Sequence, residues 1–197
     1  MILVLVFTYA CKSDLRIVKV EHAEKTNVKY ARMVLDSLAT SYSCHQWDSL
    51  DTYRVQFSDE FRTPAAKFGN PFKENEIKMI LDYVPNEFSG ALKINSGKDS
   101  LDVWRFAQNQ TYIEKDGVLK QTKSKKIQFW VPTYQYFIEL PNRIREATDV
   151  RYECDSIVEG DTCVCILASW NTLTPQRDID QYRLWIRQSD FKMVQVD

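Results

Sequence analysis

The chain has 197 residues, with 26 basic and 27 acidic side chains and a formal net charge of −1. This length suits one domain with a substantial core, or at most two small ones. The balanced charge excludes the strongly basic footprint of a nucleic-acid-binding protein. Aromatic residues make up 13% of the chain and glycines number only 5. That composition favours twisted antiparallel sheets over glycine-rich phosphate-binding loops.

The chain begins with a short apolar run, residues 1–7, followed by Thr8-Tyr9-Ala10-Cys11 and an abruptly polar stretch. This pattern resembles the end of a bacterial lipoprotein signal peptide, in which a cysteine after a small residue is acylated. The run is too short to span a membrane, which needs about 20 apolar residues. A buried N-terminal strand is the alternative, since the run is rich in strand-forming residues. We expect residues 1–11 to be a truncated signal peptide with a lipidated Cys11, and 12–25 a polar tether.

A helix is predicted next, over Thr26–Tyr42, because apolar residues recur there at helical spacing. The apolar period then changes to two, which predicts a series of strands. The predicted strands lie near residues 53–57, 77–83, 88–94, 101–106, 111–115, 118–122, 147–158, 162–170, 180–187 and 191–197.

Two dipeptides between strand-like runs, Asp116-Gly117 and Glu159-Gly160, predict β-hairpins with tight turns. Between these hairpins, residues 130–140 predict a second helix, with Pro132 near its start and Pro141 ending it. These elements together predict an α+β fold with a large curved antiparallel sheet, closed by an N-terminal and a mid-chain helix. Residues 26–197 are expected to form this single domain.

The hairpin around Glu159-Gly160 places Cys154 opposite Cys165 if its turn has two residues. An exported protein meets an oxidising compartment, which permits a disulfide between them, but buried free thiols are the other interpretation. Cys163 and Cys165, with Cys154 and His45, lack the paired C-x2-C spacing of zinc sites, so we predict no metal.

No sequence motif indicates catalysis: a nucleophile elbow, a zinc-protease helix and a phosphate-binding loop are all missing from the sequence. Acid-base catalysis uses carboxylate pairs, but we interpret pairs such as Asp178 with Asp180 as solvated side chains. We predict neither enzymatic activity nor a cofactor. We interpret the lysine cluster at residues 120–126 as a solvated loop. The alternative is a surface that contacts anionic headgroups or an acidic partner.

Three segments carry a resemblance to a known family: residues 45–50 (HQWDSL), 136–141 (YFIELP) and 180–186 (DQYRLWI). They resemble periplasmic lipoprotein carriers of the LolA/LolB type and, more specifically, a family of Bacteroidetes lipoproteins with that fold. The resemblance implies an open half-barrel closed by helices. It also implies a cell-envelope location, at the outer membrane or facing the periplasm, and a binder of acyl chains, lipid or lipidated protein.

We therefore expect a lipid-anchored, non-catalytic protein with an apolar groove that binds lipid or an acylated protein and no nucleic acid. The alternative is a lipid-anchored interaction or scaffold protein whose core is filled by its own side chains. The oligomeric state is left open. The aromatic residues expected to line the groove are Trp104, Phe106, Tyr112, Trp130, Tyr134, Phe137, Trp170 and Tyr182.

Overall fold

The structure is a computed structural model that describes residues 25–72, 74–96, 102–173 and 179–197. The predicted signal peptide, Cys11 and almost all of the tether therefore lie outside the described residues. The described helices are α1 (Lys25–Ser41), α2 (Pro64–Gly69) and α3 (Lys125–Arg143), with short 3-10 turns at Cys44–Ser49 and Ile144–Glu146. The described strands are β1 (Tyr53–Glu60), β2 (Glu76–Tyr83), β3 (Gly90–Ile94), β4 (Val103–Ala107), β5 (Gln110–Lys115), β6 (Val118–Thr122), β7 (Asp149–Val158), β8 (Asp161–Ser169), β9 (Gln181–Arg187) and β10 (Met193–Val196).

Within these described ranges, strand pairing forms two antiparallel sheets, which corrects the prediction of one large sheet. One sheet has the order β1-β2-β3-β4-β5-β6 and the other the order β10-β9-β8-β7. Each strand pairs with its sequence neighbour because the connections are short. The 19-residue helix α3 interrupts the run of strands after β6, so the ladder does not continue into β7. The α+β class with antiparallel sheets and helices is confirmed.

The described residues group into two compact units, one comprising residues 25–42 with 144–197 and the other residues 43–143. The first contains α1 and the four-stranded sheet, and the second contains the six-stranded sheet with α2 and α3. The single domain predicted over 26–197 stays a prediction.

In the first unit, α1 packs along β7 through the apolar face that the sequence predicted. Tyr30 and Tyr152 meet edge to face with ring centroids 5.3 Å apart. The Arg32 guanidinium donates to the carbonyls of Arg145, at 3.1 Å, and Thr148, at 2.9 Å. These bonds attach the helix to the segment that leads into β7. The buried residues of the helix face are Ala31, Val34, Leu35, Leu38 and Ala39.

In the second unit, alternate residues of each strand point to the two faces of the six-stranded sheet, as the period of two requires. The face that carries the core is called the inner face here. It includes Leu81, Leu92 and Trp104, which align across β2, β3 and β4. Between β5 and β6, Asp116 and Gly117 have φ values of 51° and 75°. A two-residue type I′ turn requires such values, so the predicted hairpin is confirmed.

Helix α3 corrects the predicted bounds of the second helix, because it runs from Lys125 to Arg143 and contains both prolines. The helix begins where the Ser124 hydroxyl accepts from the Ile127 amide at 3.3 Å, as an N-cap residue does. Pro132 removes one backbone donor inside the helix. Burial of one helix face against the sheet outweighs that cost, since residues on both sides of Pro132 belong to the core.

Candidate functional site

A connected series of aromatic rings runs through the second unit between the inner face of the sheet and α3. The ring centroids of Trp104 and Phe72 are 5.2 Å apart, and those of Phe72 and Phe61 are 6.2 Å apart. The series continues from Phe61 to Trp130 over 5.9 Å and from Trp130 to Tyr134 over 5.4 Å. A last step of 5.1 Å joins Tyr134 to Phe57 on β1. These separations lie within the favourable range for aromatic pairs, so the series is a packed apolar layer.

Helix α3 lies over β3, β4 and β5. The edge strand β1 presents Tyr53, Val55 and Phe57 on the inner face, and all three remain half-buried. They pack against the core together with the half-buried Trp130 and Ile138 of α3. We call these five residues the β1–α3 row. Solvent still reaches this part of the inner apolar layer, as it also reaches the partly buried Ala66 and Ile113.

One hydrogen bond joins the two sides of this row. The Tyr134 hydroxyl donates to the Asp59 carboxylate at 2.7 Å. Burial, and then this bond, raise the pKa of Tyr134 well above its usual value. The phenol therefore stays protonated over the physiological range and keeps donating, which fixes the distance between α3 and β1 at this point.

The structure brings together four of the eight aromatic residues that the sequence singled out. Trp104, Phe106, Trp130 and Tyr134 all belong to, or pack against, the inner core of the second unit. Trp104 is only 3% exposed, so its ring is packed by its neighbours.

The other four predicted residues have different surroundings. Tyr112 pairs with Arg105 and therefore lies on the outer face, where it helps to line an open pocket of about 320 Å³. Phe137 projects from α3 and is 44% exposed. Trp170 and Tyr182 belong to the first unit, where their rings meet edge to face at 6.1 Å.

A buried polar cluster on α3 was not predicted from the sequence. Glu139 is 1% exposed and accepts from the Arg143 guanidinium at 2.7 Å, from Gln135 at 3.1 Å and from the Asn86 amide at 3.0 Å. Gln135 also donates to the carbonyls of Val84, at 3.0 Å, and Glu87. These bonds hold the β2–β3 loop against α3. The available sequence signal was polar residues at spacings of four on an apolar helix.

Tyr83 lies beside this cluster and is 2% exposed. Burial, and then the negative charge of Glu139, raise the pKa of its phenol. Among the described residues its hydroxyl has no hydrogen-bond partner. The neutral Tyr83 hydroxyl and the paired Glu139 carboxylate are therefore buried polar groups in an otherwise apolar layer.

The first unit contains a second charged cluster, around Glu153. This carboxylate accepts from Arg151 at 2.9 Å and from Arg183 at 2.8 Å. Burial alone would raise the pKa of Glu153, but the bonds from Arg183 and Arg151 outweigh it and lower that pKa. The glutamate is therefore ionised near neutral pH and compensates two arginines.

The cysteines of this unit have the predicted register but carry free thiols. Cys154 pairs with Cys165 across β7 and β8, next to a bulge at Glu153. Cys165 is buried and its thiol lies 3.6 Å from the Glu153 carboxylate, whereas Cys154 is exposed. Burial, and then the charge of Glu153, raise the pKa of Cys165, which keeps this thiol protonated. Across the described ranges no group of three His, Cys, Asp or Glu side chains is arranged to hold a metal.

The structural comparisons find similarity at low sequence identity. LprF from Mycobacterium bovis matches with 12% identity and a TM-score of 0.39, over 86% of this chain and 86% of that one. A putative outer membrane lipoprotein-sorting protein domain from Vibrio parahaemolyticus matches with 8% identity and a TM-score of 0.44, over 87% and 72%. Lipoprotein LppX from Mycobacterium tuberculosis matches with 10% identity and a TM-score of 0.33, over 83% and 86%.

These TM-scores are too low to carry an argument about function. No protein-family model matches the chain, and no curated protein sequence matches it. No helix of the described ranges is long and apolar enough to cross a membrane.

Proposed function

We propose that this protein is a non-catalytic cell-envelope lipoprotein, anchored through an acylated Cys11, that binds the acyl chain of a lipid or of a lipidated protein. The observation that carries the proposal is the β1–α3 row, where apolar side chains from a strand and a helix remain half-buried beside a packed aromatic layer. Each methylene that such a surface removes from water contributes about 0.8 kcal/mol. We further propose that the six-stranded sheet curves around α3 as part of a half-barrel.

The dimensions of the row suit an extended chain. Along β1, the apolar residues of the row run from Tyr53 to Phe57, a distance of about 13 Å at roughly 3.3 Å per residue. Trp104 and Phe106 form the closed floor of the layer, and Trp130 and Tyr134 form its α3 side. Phe137 extends the apolar surface on α3. Tyr112, Trp170 and Tyr182 are left out of this groove.

The first test is titration of a fluorescent long-chain fatty acid with the full chain. Val55→Asp and Ile138→Asp each place a carboxylate in the β1–α3 row. Because a charge beside a methylene chain is costly to desolvate, we expect each to weaken binding more than tenfold. Ile80→Asp is the matched control, since Ile80 is half-buried in the same sheet but on the outer face.

Urea unfolding of each variant shows whether it folds, and Val55→Thr provides a milder change at the same site. The proposal is overturned if the wild type shows no saturable binding, or if Ile80→Asp weakens binding as much as the row variants do.

A second candidate function is a lipid-anchored scaffold without a small ligand. It is favoured by the filling of the layer beneath α3, where the rings of Phe72 and Trp104 stack with an interplanar angle of 10°. Absence of lipid binding by a folded wild-type chain would select this function.

A further inference from the structure

We propose that the β5–β6 hairpin and the lysine-rich segment after it form a docking surface for membranes that contain anionic phospholipid. We call residues 115–126 with Phe129 the basic edge. Residues 115–126 hold five lysines and one acidic residue, Asp116, although the chain as a whole has a net charge of −1. The positive charge is thus concentrated in one short stretch. This inference rests on the proposed lipid-binding function, because a protein that binds a lipid must take it up or release it at a membrane surface.

The basic edge is exposed because β6 is the terminal strand of the six-stranded sheet. Val118 and Leu119, directly after the turn, are 54% and 53% exposed. They point to opposite faces of the sheet, since Val118 pairs with Lys115 and Leu119 pairs with Glu114. Aliphatic side chains therefore flank the tip of the hairpin on both sides.

The base of the hairpin is held firmly. The Thr111 hydroxyl donates to the Thr122 carbonyl at 2.6 Å and accepts from the Ser124 amide at 3.2 Å. Thr111 is 5% exposed, so these bonds are shielded from water. They connect the end of β6 to the start of α3, which fixes the position of the hairpin relative to the lysines that follow it.

The acidic groups near the basic edge leave most of its charge uncompensated. Lys115 approaches Asp102 at 3.8 Å, and the Glu114 carboxylate is bonded by Arg105 at 2.7 Å. Asp116 lies in the turn itself. The exposed residues Lys120, Lys123 and Lys125 take part in no ion pair among the described residues. Lys126 lies 4.2 Å from the centre of the Trp104 ring.

The combination of cations with exposed apolar side chains favours a membrane over an acidic protein surface. Lysines attract anionic headgroups, and each contributes within about a Debye length of the surface. Their aliphatic stems lie along apolar regions while the ammonium groups stay in water. Val118, Leu119 and the 60% exposed Phe129 supply the apolar contact. Lysines on an edge strand also protect it against aggregation, and the test must separate the two roles.

The test uses the full chain with Cys11→Ala, so that no acyl anchor contributes. Co-sedimentation is measured with vesicles of phosphatidylcholine mixed with phosphatidylglycerol, and with vesicles of phosphatidylcholine alone. The test variant adds Lys120→Gln, Lys123→Gln and Lys125→Gln. We expect binding to the anionic vesicles to fall on the order of a hundredfold, from the contribution of three lysines near a charged surface. High salt should reduce wild-type binding in the same way.

The matched control carries Lys67→Gln, Lys78→Gln and Lys93→Gln, which remove the same charge from exposed positions of the same unit. It should bind anionic vesicles like the parent chain. Equal loss in both triple variants, or equal binding to neutral and anionic vesicles, would overturn the proposal.

Aggregation of the test variant without loss of vesicle binding would assign the lysines to edge protection. Vesicle binding that fails while an acidic peptide binds through the same lysines would indicate a protein partner. Fatty-acid titration of the same variant tests the acyl-binding proposal separately, because these lysines lie outside the β1–α3 row.

Discussion

Glu139 is one of the two α3 residues that bond the β2–β3 loop, and it also accepts from Arg143. Substitution Glu139→Ala would leave the Arg143 guanidinium, 19% exposed, without its carboxylate. It would also leave the Asn86 amide without its acceptor. Removal of one partner from a buried pair costs about 3–5 kcal/mol. We expect urea unfolding to show a loss of that size.

Asp82→Ala is the matched control for this substitution. Asp82 pairs with Arg54, but the two side chains are 43% and 74% exposed, and solvent-exposed pairs of this kind contribute little to stability. Equal losses for the two substitutions would show that the Glu139 cluster is not a buried anchor.

Glu153 links stability to pH. Its pKa is lowered in the folded state, so its contribution is complete above the pKa of the unfolded chain. That contribution disappears as the pH falls through the folded pKa. In Glu153→Gln this contribution is missing. The difference in free energy of unfolding between wild type and variant should therefore be largest at neutral pH and shrink in acid.

Urea denaturation at a series of pH values measures this difference, and Glu146→Gln, at an exposed position of the same unit, provides the control. A difference for Glu153→Gln that stays constant from neutral pH into acid would contradict the assignment.

At the scale of elements, α3 is unusual because Pro132 lies in its interior. The proline cannot donate to the Gln128 carbonyl, and such a position costs up to about 3 kcal/mol. We expect Pro132→Ala to raise the midpoint of thermal unfolding. Pro64→Ala is the comparison, because Pro64 begins α2, where no helical bond is lost. A lowered midpoint for Pro132→Ala would mean that the proline shapes the fit of α3 against the sheet.

The elements also show how far the sequence predicts the fold. The residues of β2 alternate with a period of two, which is typical of a strand with one buried face. This pattern predicts the shared face of Ile77, Met79, Leu81 and Tyr83. The extent of α3 was not predictable in this way. Prolines usually end helices, and only the contacts of its buried face with the sheet make the longer helix favourable.

The candidate site was predictable only in part, for a related reason. Composition identifies aromatic residues, but strand register decides their face. Tyr112 and Trp104 occupy neighbouring strands, yet Tyr112 pairs with Arg105 and so faces away from Trp104. The Glu139 cluster depends on the β2–β3 loop approaching α3, and no local pattern specifies that approach.

At the scale of the whole molecule, we propose that an acyl-binding row, a basic edge and a lipid anchor at Cys11 occur together in a protein of the cell envelope. The row and the basic edge both belong to the unit of residues 43–143. A lipid bound at the row would meet the membrane through the same unit. We propose above all that the apolar layer beside β1 accepts an acyl chain.

Native mass spectrometry of the full chain, exported to the periplasm with Cys11→Ala and purified without detergent, tests this claim most directly. The account predicts an adduct with the mass of a phospholipid, fatty acid or acylated peptide, which Val55→Asp removes and Ile80→Asp retains. A folded wild-type chain with only its own mass, and with no uptake when fatty acid or phospholipid is supplied, would contradict it.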